Sequence, residues 1–434
     1  MLKQAGRMEK TLRIAIAGGG IASLCLAHSL TTQHPDWSIQ IYEASPQIRD
    51  EGAAIGLATN AQEALKLISP SLREALDEAG GVECVPAVRI MVGTGKDSGV
   101  CVGDVPQPTP QITVHRTAFW NALRKRIPDG VLQLGKRLAS ISTDLDAEHP
   151  VTLTFSDSTT TSVDALIGCD GINSTVRQHI LGPDYAPFYT SGYNHRVVVP
   201  LAEAEEAFGK EYCSLRTQYG WIGDGGFLLT DHCDEGRSMQ VIAGWSDKGP
   251  WPYEAPFVEW DKERLKRDLE DWGDIGKAML KIFLSRPTLH AAAGRTHPHT
   301  PTYLSPSAHI ALAGDAAQSF PPFLGAGAGQ AIEDALLLST VLGLVTSPSD
   351  IPSALRVYDS IRRPRRAAIA AASMKAARLM TGRDPEVGVD PERIRGLLPV
   401  WKKEIFGVDL EGVQREARGL FEKGRGKSDV GGES

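Results

Sequence analysis

Apolar positions near the start of the chain fall into two tight runs with a longer aliphatic stretch between them. Residues 12–17 (LRIAIA) lead into Gly18-Gly19-Gly20. Residues 21–30 (IASLCLAHSL) are small or aliphatic almost throughout, as in a helix buried on every side, and residues 37–42 (WSIQIY) form a second strand-like run closing at Glu43. Strand, glycine turn, helix and strand make a βαβ unit. Further on, the spacing predicts helices over 58–79 and 117–126 and short strands over 131–134, 151–155 and 165–167. The texture changes between about 185 and 250, where HRVVVPL, FLLT and MQVIAGW are separated by Gly, Asp and charged turns. Short β-rich runs punctuated in this way predict an antiparallel sheet. Residues 261–284 read as helical with a break near Gly273, residues 309–313 as a strand running into Gly314-Asp315, and 329–344 and the Ala/Arg-rich stretch to about 380 as helices. Residues 425–434 carry almost no apolar side chains, which predicts a disordered tail.

Composition narrows the class without naming a function. With 434 residues, 42% hydrophobic and 23% charged, the proportions are those of a soluble globular chain of two or three domains. A net charge of −7 argues against a surface built to grip nucleic-acid phosphates. Six cysteines without a C-x-x-C pair suit free thiols in a reducing compartment. The opening residues lack the apolar core of a secretory signal, and no apolar run is long enough to span a bilayer, so the expected location is cytoplasmic, with no integral membrane segment.

The glycine turn is where chemistry enters. Gly18-Gly19-Gly20-Ile21-Ala22-Ser23 fits G-x-G-x-x-G except for Ser23 at the last place. Gly18 permits the tight turn, Gly20 lets a pyrophosphate approach the backbone, and the N–H groups of the following helix bind the phosphate. The third position needs only a small residue for close helix–strand packing, so Ser23 is a mild departure. Glu43 lies about 25 residues past Gly18, at a strand end where a carboxylate accepts hydrogen bonds from ribose hydroxyls. A glutamate there disfavours a 2′-phosphate. A dinucleotide is expected.

Two later segments specify the dinucleotide. Ile167-Gly168-Cys169-Asp170-Gly171 continues through Asn173-Ser174-Thr175-Val176-Arg177. Ala311-Leu312-Ala313-Gly314-Asp315-Ala316-Ala317 leads into Pro321-Pro322-Phe323-Leu324-Gly325-Ala326-Gly327-Ala328-Gly329. In this order, the three segments resemble the group A FAD-dependent monooxygenases, the para-hydroxybenzoate hydroxylase-like family, and within it the salicylate hydroxylase-like branch. The resemblance runs from about residue 12 to 380. Gly52-Ala53-Ala54-Ile55, Asn60, Val114-His115-Arg116 and Tyr358-Asp359-Ser360-Ile361-Arg362-Arg363-Pro364-Arg365 match smaller family features. Gln318 stands where the family often has histidine, and Ala54 where glycine is common.

The resemblance implies an α/β fold: a Rossmann-like FAD-binding domain, an inserted antiparallel substrate sheet and C-terminal helices. Residues 9–184 are expected to form the first part of the FAD domain, with about 80–112 lent to the substrate domain. Residues 185–295 would be the substrate domain, 296–345 the second part of the FAD domain, 346–424 the C-terminal helices and 425–434 the tail. Cofactor contacts are expected from Gly18, Gly20, Ala22, Glu43, Ala54, Arg116, Asp170, Asp315, Gly325, Gly327, Ala328 and Gly329. Asp315 suits ribityl hydroxyls, and the 325–329 loop leaves room for a flat ring whose negative charge meets a helix N-terminus. Helix capping is the plainer role for Asp170 and Asp315.

Family members carry no second glycine loop for the nicotinamide cofactor, so NADPH or NADH is expected as a transient co-substrate. O2 then adds at C4a of the flavin, and the hydroperoxide oxygenates an electron-rich aromatic or polyketide- or alkaloid-like substrate. Arg196, in Asn194-His195-Arg196-Val197-Val198-Val199-Pro200, matches an active-site arginine of the branch, and His195 is a candidate proton acceptor if it shares that face. Strand alternation sets the two on opposite faces. Aromatic side chains Tyr219, Trp221, Phe227 and Trp245 are candidate pocket walls or core. His297 and His299 lack the company of a metal site and suit a surface loop, and the Arg362–Arg366 run suits a solvated face or pairing with acids of the main domain. Epoxidation or oxidative rearrangement of a non-phenolic ring uses the same fold and oxidant, a non-catalytic flavin-binding redox protein uses the fold alone, and the halogenase W-x-W-x-I-P segment is not matched. A monomer or homodimer suits either enzyme.

Overall fold

The aliphatic runs that end in glycine become neighbouring strands of one parallel sheet. In the computed structural model, which describes residues 11–47, 53–246 and 248–428, Arg13–Ala17 lies at the centre of this sheet. Ala165–Gly168 and Ser38–Tyr42 flank it, and Ile310–Leu312 and Leu132–Gln133 form the edges. Every pairing is parallel. Helices cover such a sheet on both faces, so its strands are apolar on both sides. Ile14, Ala15, Ile16 and Ala17 are accordingly all buried. The small side chains of Ile21–Gln33 let it pack closely against a second buried helix, Gly327–Leu342.

The second large sheet has eight strands in the order Phe257–Glu259, His290–Thr296, Phe188–Pro200, Ser238–Trp245, Gly226–Cys233, Gln218–Gly223, Val88–Val92 and Cys101–Val105. Two of these strands come from the first quarter of the chain. The sheet departs from a purely antiparallel one at a single junction, where Gln218–Gly223 runs parallel to Val88–Val92. Alternation gives it two unlike faces. One packs on a core containing Trp221, Trp245, Trp260, Trp272 and Phe283; the other carries Arg196, Leu229 and Ile242 toward a cavity. A three-stranded sheet is built on Gln111–His115, with Ala54–Leu57 on one side and Val82–Cys84 on the other.

The C-terminal part is helical further than expected. Ile351–Met380 is continuous through Pro364, and Pro391–Leu397, Lys403–Phe406 and Leu410–Ser428 follow. The expected disordered tail is therefore corrected over residues 425–428. Leu410, Ala417 and Phe421 share one face of that last helix and are buried in the main core, a spacing that average composition conceals. The remainder of the tail, and Gly52, lie outside the described residues. Among the described residues no helix is long and apolar enough to cross a membrane.

Candidate active site

Parallel strands deliver their carboxyl ends to one edge of the sheet, where ligands bind in such folds. Here Ala17-Gly18, Cys169-Asp170 and Gly314-Asp315 converge on a cavity of about 560 Å³. Gly18, Gly20, Ala22, Glu43, Arg116, Asp170, Asp315, Gly327 and Ala328 all line it. Gly18 turns with φ of +93° and donates to the Tyr42 carbonyl over 2.8 Å. The Gly19 N–H donates to Glu43 Oε2 (2.6 Å), and Trp120 Nε1 donates to the Gly19 carbonyl (2.6 Å). The loop is thus held from both sides, and Trp120 has no signal in the sequence that would single it out. Helix Ile21–Gln33 starts at Gly20 without a side-chain cap, leaving its first N–H groups to bind an anion.

Asp170 has a double role. Its carboxylate accepts from the Ser174 hydroxyl and, over 3.2 Å, from the Val176 N–H, so it ties down the start of helix Thr175–Leu181 while lining the cavity. Burial pushes its carboxyl upward, against the pull of those hydrogen bonds. Asp315 stands open to both this cavity and a second one. Enclosure by protein raises its carboxyl, with Arg366 and then Arg116 drawing it back down.

The turn before Asp315 is fixed by buried charge. Asp334 Oδ2 accepts from the Gly314 N–H and from Arg366, both over 2.8 Å, and Asp334 Oδ1 accepts from Arg362 Nε over 2.7 Å. Arg366 also donates to the carbonyls of Gly314 (2.8 Å) and Gln318 (2.6 Å). Next to it, burial alone would raise the Glu333 carboxyl, but Arg362 and Arg365 hold it at about 2. The arginine run of the long helix is therefore a buried clamp on the site, and its two core arginines are among the most buried large side chains. The sequence allowed for pairing of this run with acids but could not identify Glu333 and Asp334 as the partners, because they lie about 30 residues away along the chain.

A second cavity of about 420 Å³ shares Ile55, Asp315, Gly327 and Ala328 with the first. Ala54 and Gly325 line this one; Gly329 lines neither and instead packs against Asn60 and Ala61, where a Cβ would come within 3.3 Å. Its small size serves helix packing, which corrects its expected place at the cofactor. By contrast, a Cβ at Gly20, Gly325 or Gly327 would meet nothing within 4 Å. The bare backbone at those places borders open space, as an extended nucleotide with a flat ring requires.

Arg196 faces this second cavity, above the buried carboxylate of Asp231. Gln218 donates to Asp231 over 2.8 Å and Gln240 over 3.1 Å, and Gln240 in turn accepts from the Ala54 N–H over 2.9 Å. Burial pushes the Asp231 carboxyl from 3.8 up to about 6, while the two glutamines and Arg196 pull it down. A folded-state value above the unfolded one means that the protonated acid stabilises the fold at low pH, and that this contribution disappears as pH rises through about 6. Asp231→Asn cannot titrate. It is expected to remove about 2–3 kcal/mol of pH dependence from the unfolding free energy between about pH 4 and pH 7. Urea titrations across that range check this, and parallel profiles for variant and parent would contradict it.

His195 is not brought to Arg196. Its ring is buried among Tyr193, Trp245, Trp260 and Phe283 on the opposite face, and Nδ1 lies 2.7 Å from the His290 carbonyl. Burial lowers it to about 4, leaving a neutral core side chain and correcting its candidacy as a proton acceptor. The candidate aromatic walls divide as well: Phe227 lines the cavity, whereas Tyr219, Trp221 and Trp245 belong to the core on the other face. His297 is a buried strut and not a surface residue: Nε2 lies 2.9 Å from the Ile172 carbonyl, and Nδ1 accepts from the Ser319 N–H over 3.0 Å. His299 is exposed.

Residues 262–373 match the model of an FAD binding domain. The chain is 37% identical to 6-methylsalicylate 1-monooxygenase of Aspergillus terreus, over 94% of this chain and 92% of that one. The chain belongs to the FAD-dependent monooxygenases. Salicylate hydroxylase of Pseudomonas putida is 32% identical across 94% of this monooxygenase and 95% of its own length. A solved salicylate hydroxylase substrate complex superposes on the monooxygenase with a TM-score of 0.80 at 28% identity, covering 94% of this chain and 98% of that one. In this monooxygenase, then, the uncapped helix, the glycines bordering open space and the clamped Gly314-Asp315 turn fit the FAD that its family uses.

Proposed function

We propose that the monooxygenase hydroxylates a small phenolic acid or related aromatic ring in the second cavity, with FAD held along the first. The continuity of the two cavities through Ile55, Asp315, Gly327 and Ala328 carries this reading. Gly18, Gly20 and Ala22 take the pyrophosphate, Glu43 the adenosine ribose, and Arg116 the pyrophosphate or ring edge. Asp170 and Asp315 serve the ribityl chain, and Ala54, Gly325, Gly327 and Ala328 leave room for the ring. Bound FAD supplies acceptance of a hydride from NAD(P)H and activation of O2, one atom of which enters the substrate while the other leaves as water. Arg196 stabilises the phenol oxygen as its proton is lost, and Asp231 beneath it keeps the guanidinium aimed. Apolar walls, including Phe227 packed edge-to-face on Phe323 with ring centres 5.1 Å apart, exclude water. Related names among the relatives, salicylate hydroxylase and 6-methylsalicylate 1-monooxygenase, point to the same substrate class.

Purified protein loaded with FAD should oxidise NADH or NADPH faster in the presence of salicylate or 6-methylsalicylate, and label from isotopic O2 should enter the product. Arg196→Met should keep FAD and lose about 10–100-fold in kcat/KM for the phenolic acid. Protein that takes up no FAD, or whose NAD(P)H oxidation no phenolic compound stimulates, would overturn the proposal.

A further inference from the structure

Four ionisable side chains line the second cavity: Arg196, Asp231, Asp315 and Lys402. Three of them are accounted for, since Arg196 and Asp231 act on one another and Asp315 lies at the boundary with the nucleotide cavity. Lys402 is left over. It arrives from the C-terminal region, far from the glycine loops in sequence, and follows Trp401, which also lines the cavity. Its residue is only 7% exposed. Its backbone carbonyl accepts from the Ile405 and Phe406 N–H groups, but its ammonium has neither an ion-pair nor a hydrogen-bond partner among the described residues.

A buried cation without a counter-ion is costly, and proteins ordinarily neutralise or pair it. Burial alone lowers the Lys402 ammonium to about 8, with no neighbouring charge acting on it. It therefore remains mostly protonated near neutral pH, facing a space large enough for a single aromatic ring with substituents. What the protein omits, the ligand is positioned to bring.

We infer that Lys402 is the carboxylate-binding residue of this cavity and selects aromatic acids over the corresponding neutral phenols. The inference rests on the proposed aromatic hydroxylation and names the feature of the substrate that the enzyme reads. The two cationic groups divide the work: Arg196, already facing Asp231, takes the phenol oxygen, and Lys402 takes the carboxylate.

The test is calorimetric titration of the FAD-loaded enzyme with salicylate and with phenol. The parent protein should bind salicylate at least about 30-fold more tightly than phenol, the gain expected of one buried charge-assisted contact. Lys402→Met should weaken salicylate by a similar factor and leave phenol within about twofold, while Lys402→Arg keeps most of the preference. Lys402→Met should also retain FAD and melt no earlier than the parent, because an unpaired buried charge is removed. Equal losses for salicylate and phenol, no loss for either, or a lower melting temperature in Lys402→Met would overturn the assignment while leaving aromatic hydroxylation standing. A parent enzyme that binds neither compound would overturn both.

Discussion

Asp334→Ala is expected to cost about 3–5 kcal/mol of folding stability and to release the flavin. Asp334 is fully buried and serves Arg362, Arg366 and the Gly314 N–H together. Removing its carboxylate leaves two buried guanidinium groups with one hydrogen-bonded acid fewer to balance them, and an amide without its acceptor. Breaking one side of a buried pair is far more damaging than replacing the pair as a whole, since the surviving charge keeps its desolvation cost. Total stabilities of about 5–15 kcal/mol make such a loss severe. The effect on function follows from the same contacts: the Gly314 N–H and carbonyl are both gripped by this network, and Asp315 is the next residue. Urea unfolding and the fraction of FAD retained after gel filtration measure the two effects. A variant with parental stability and full flavin content would show that the clamp does not position the turn.

The second large effect is expected at Gly18. Its φ of +93° is a conformation that side chains disfavour by about 1–2 kcal/mol. Space is the stronger constraint, because a Cβ there would lie 2.4 Å from the Cys169 carbonyl oxygen and 2.8 Å from the Asp170 Cα. Those are backbone atoms of the adjacent strand end and cannot swing aside as a flexible side chain would. Gly18→Ala must therefore push apart the glycine loop and the Asp170 turn, two of the three strand ends that meet at the cavity. FAD affinity should fall at least about 100-fold, a loss of about 3 kcal/mol. The core of the sheet is distant enough to keep far-ultraviolet circular dichroism close to that of the parent. Fluorescence titration with FAD measures the affinity, and a variant that binds FAD as the parent does would exclude close apposition of these strand ends.

Much of this architecture was legible from local pattern. The strand at Arg13–Ala17, the helix at Ile21–Gln33, the break at Gly273 and the long C-terminal helix all follow from spacing of apolar residues and from glycine. Short strands with weak pattern were not legible: Leu138–Thr143 is half polar and mostly exposed, and Ala54–Leu57 has four residues. Val88–Val92 joins the large sheet by pairing with Gln218–Gly223, more than a hundred residues away, and Cys101–Val105 joins it through Val88–Val92. Among site residues, those embedded in glycine motifs could be found because the backbone shape they need restricts the sequence. Trp120, Asp231, Gln240 and Lys402 sit in segments with no such restriction.

Alone, the amino-acid order determined the strand–turn–helix units and the glycine turns at three strand ends, because each is set by residues close along the chain, and those motifs carried the resemblance that pointed to flavin. Only the folded molecule decided that His195 turns inward while Arg196 meets the cavity, that the arginine run is a buried clamp on Gly314, and that Lys402, whose ammonium has no partner among the described residues, lines the second cavity. The physical difference is one of range. Backbone conformation is imposed locally, whereas the burial and partnering of a charge depend on which distant segments close over it.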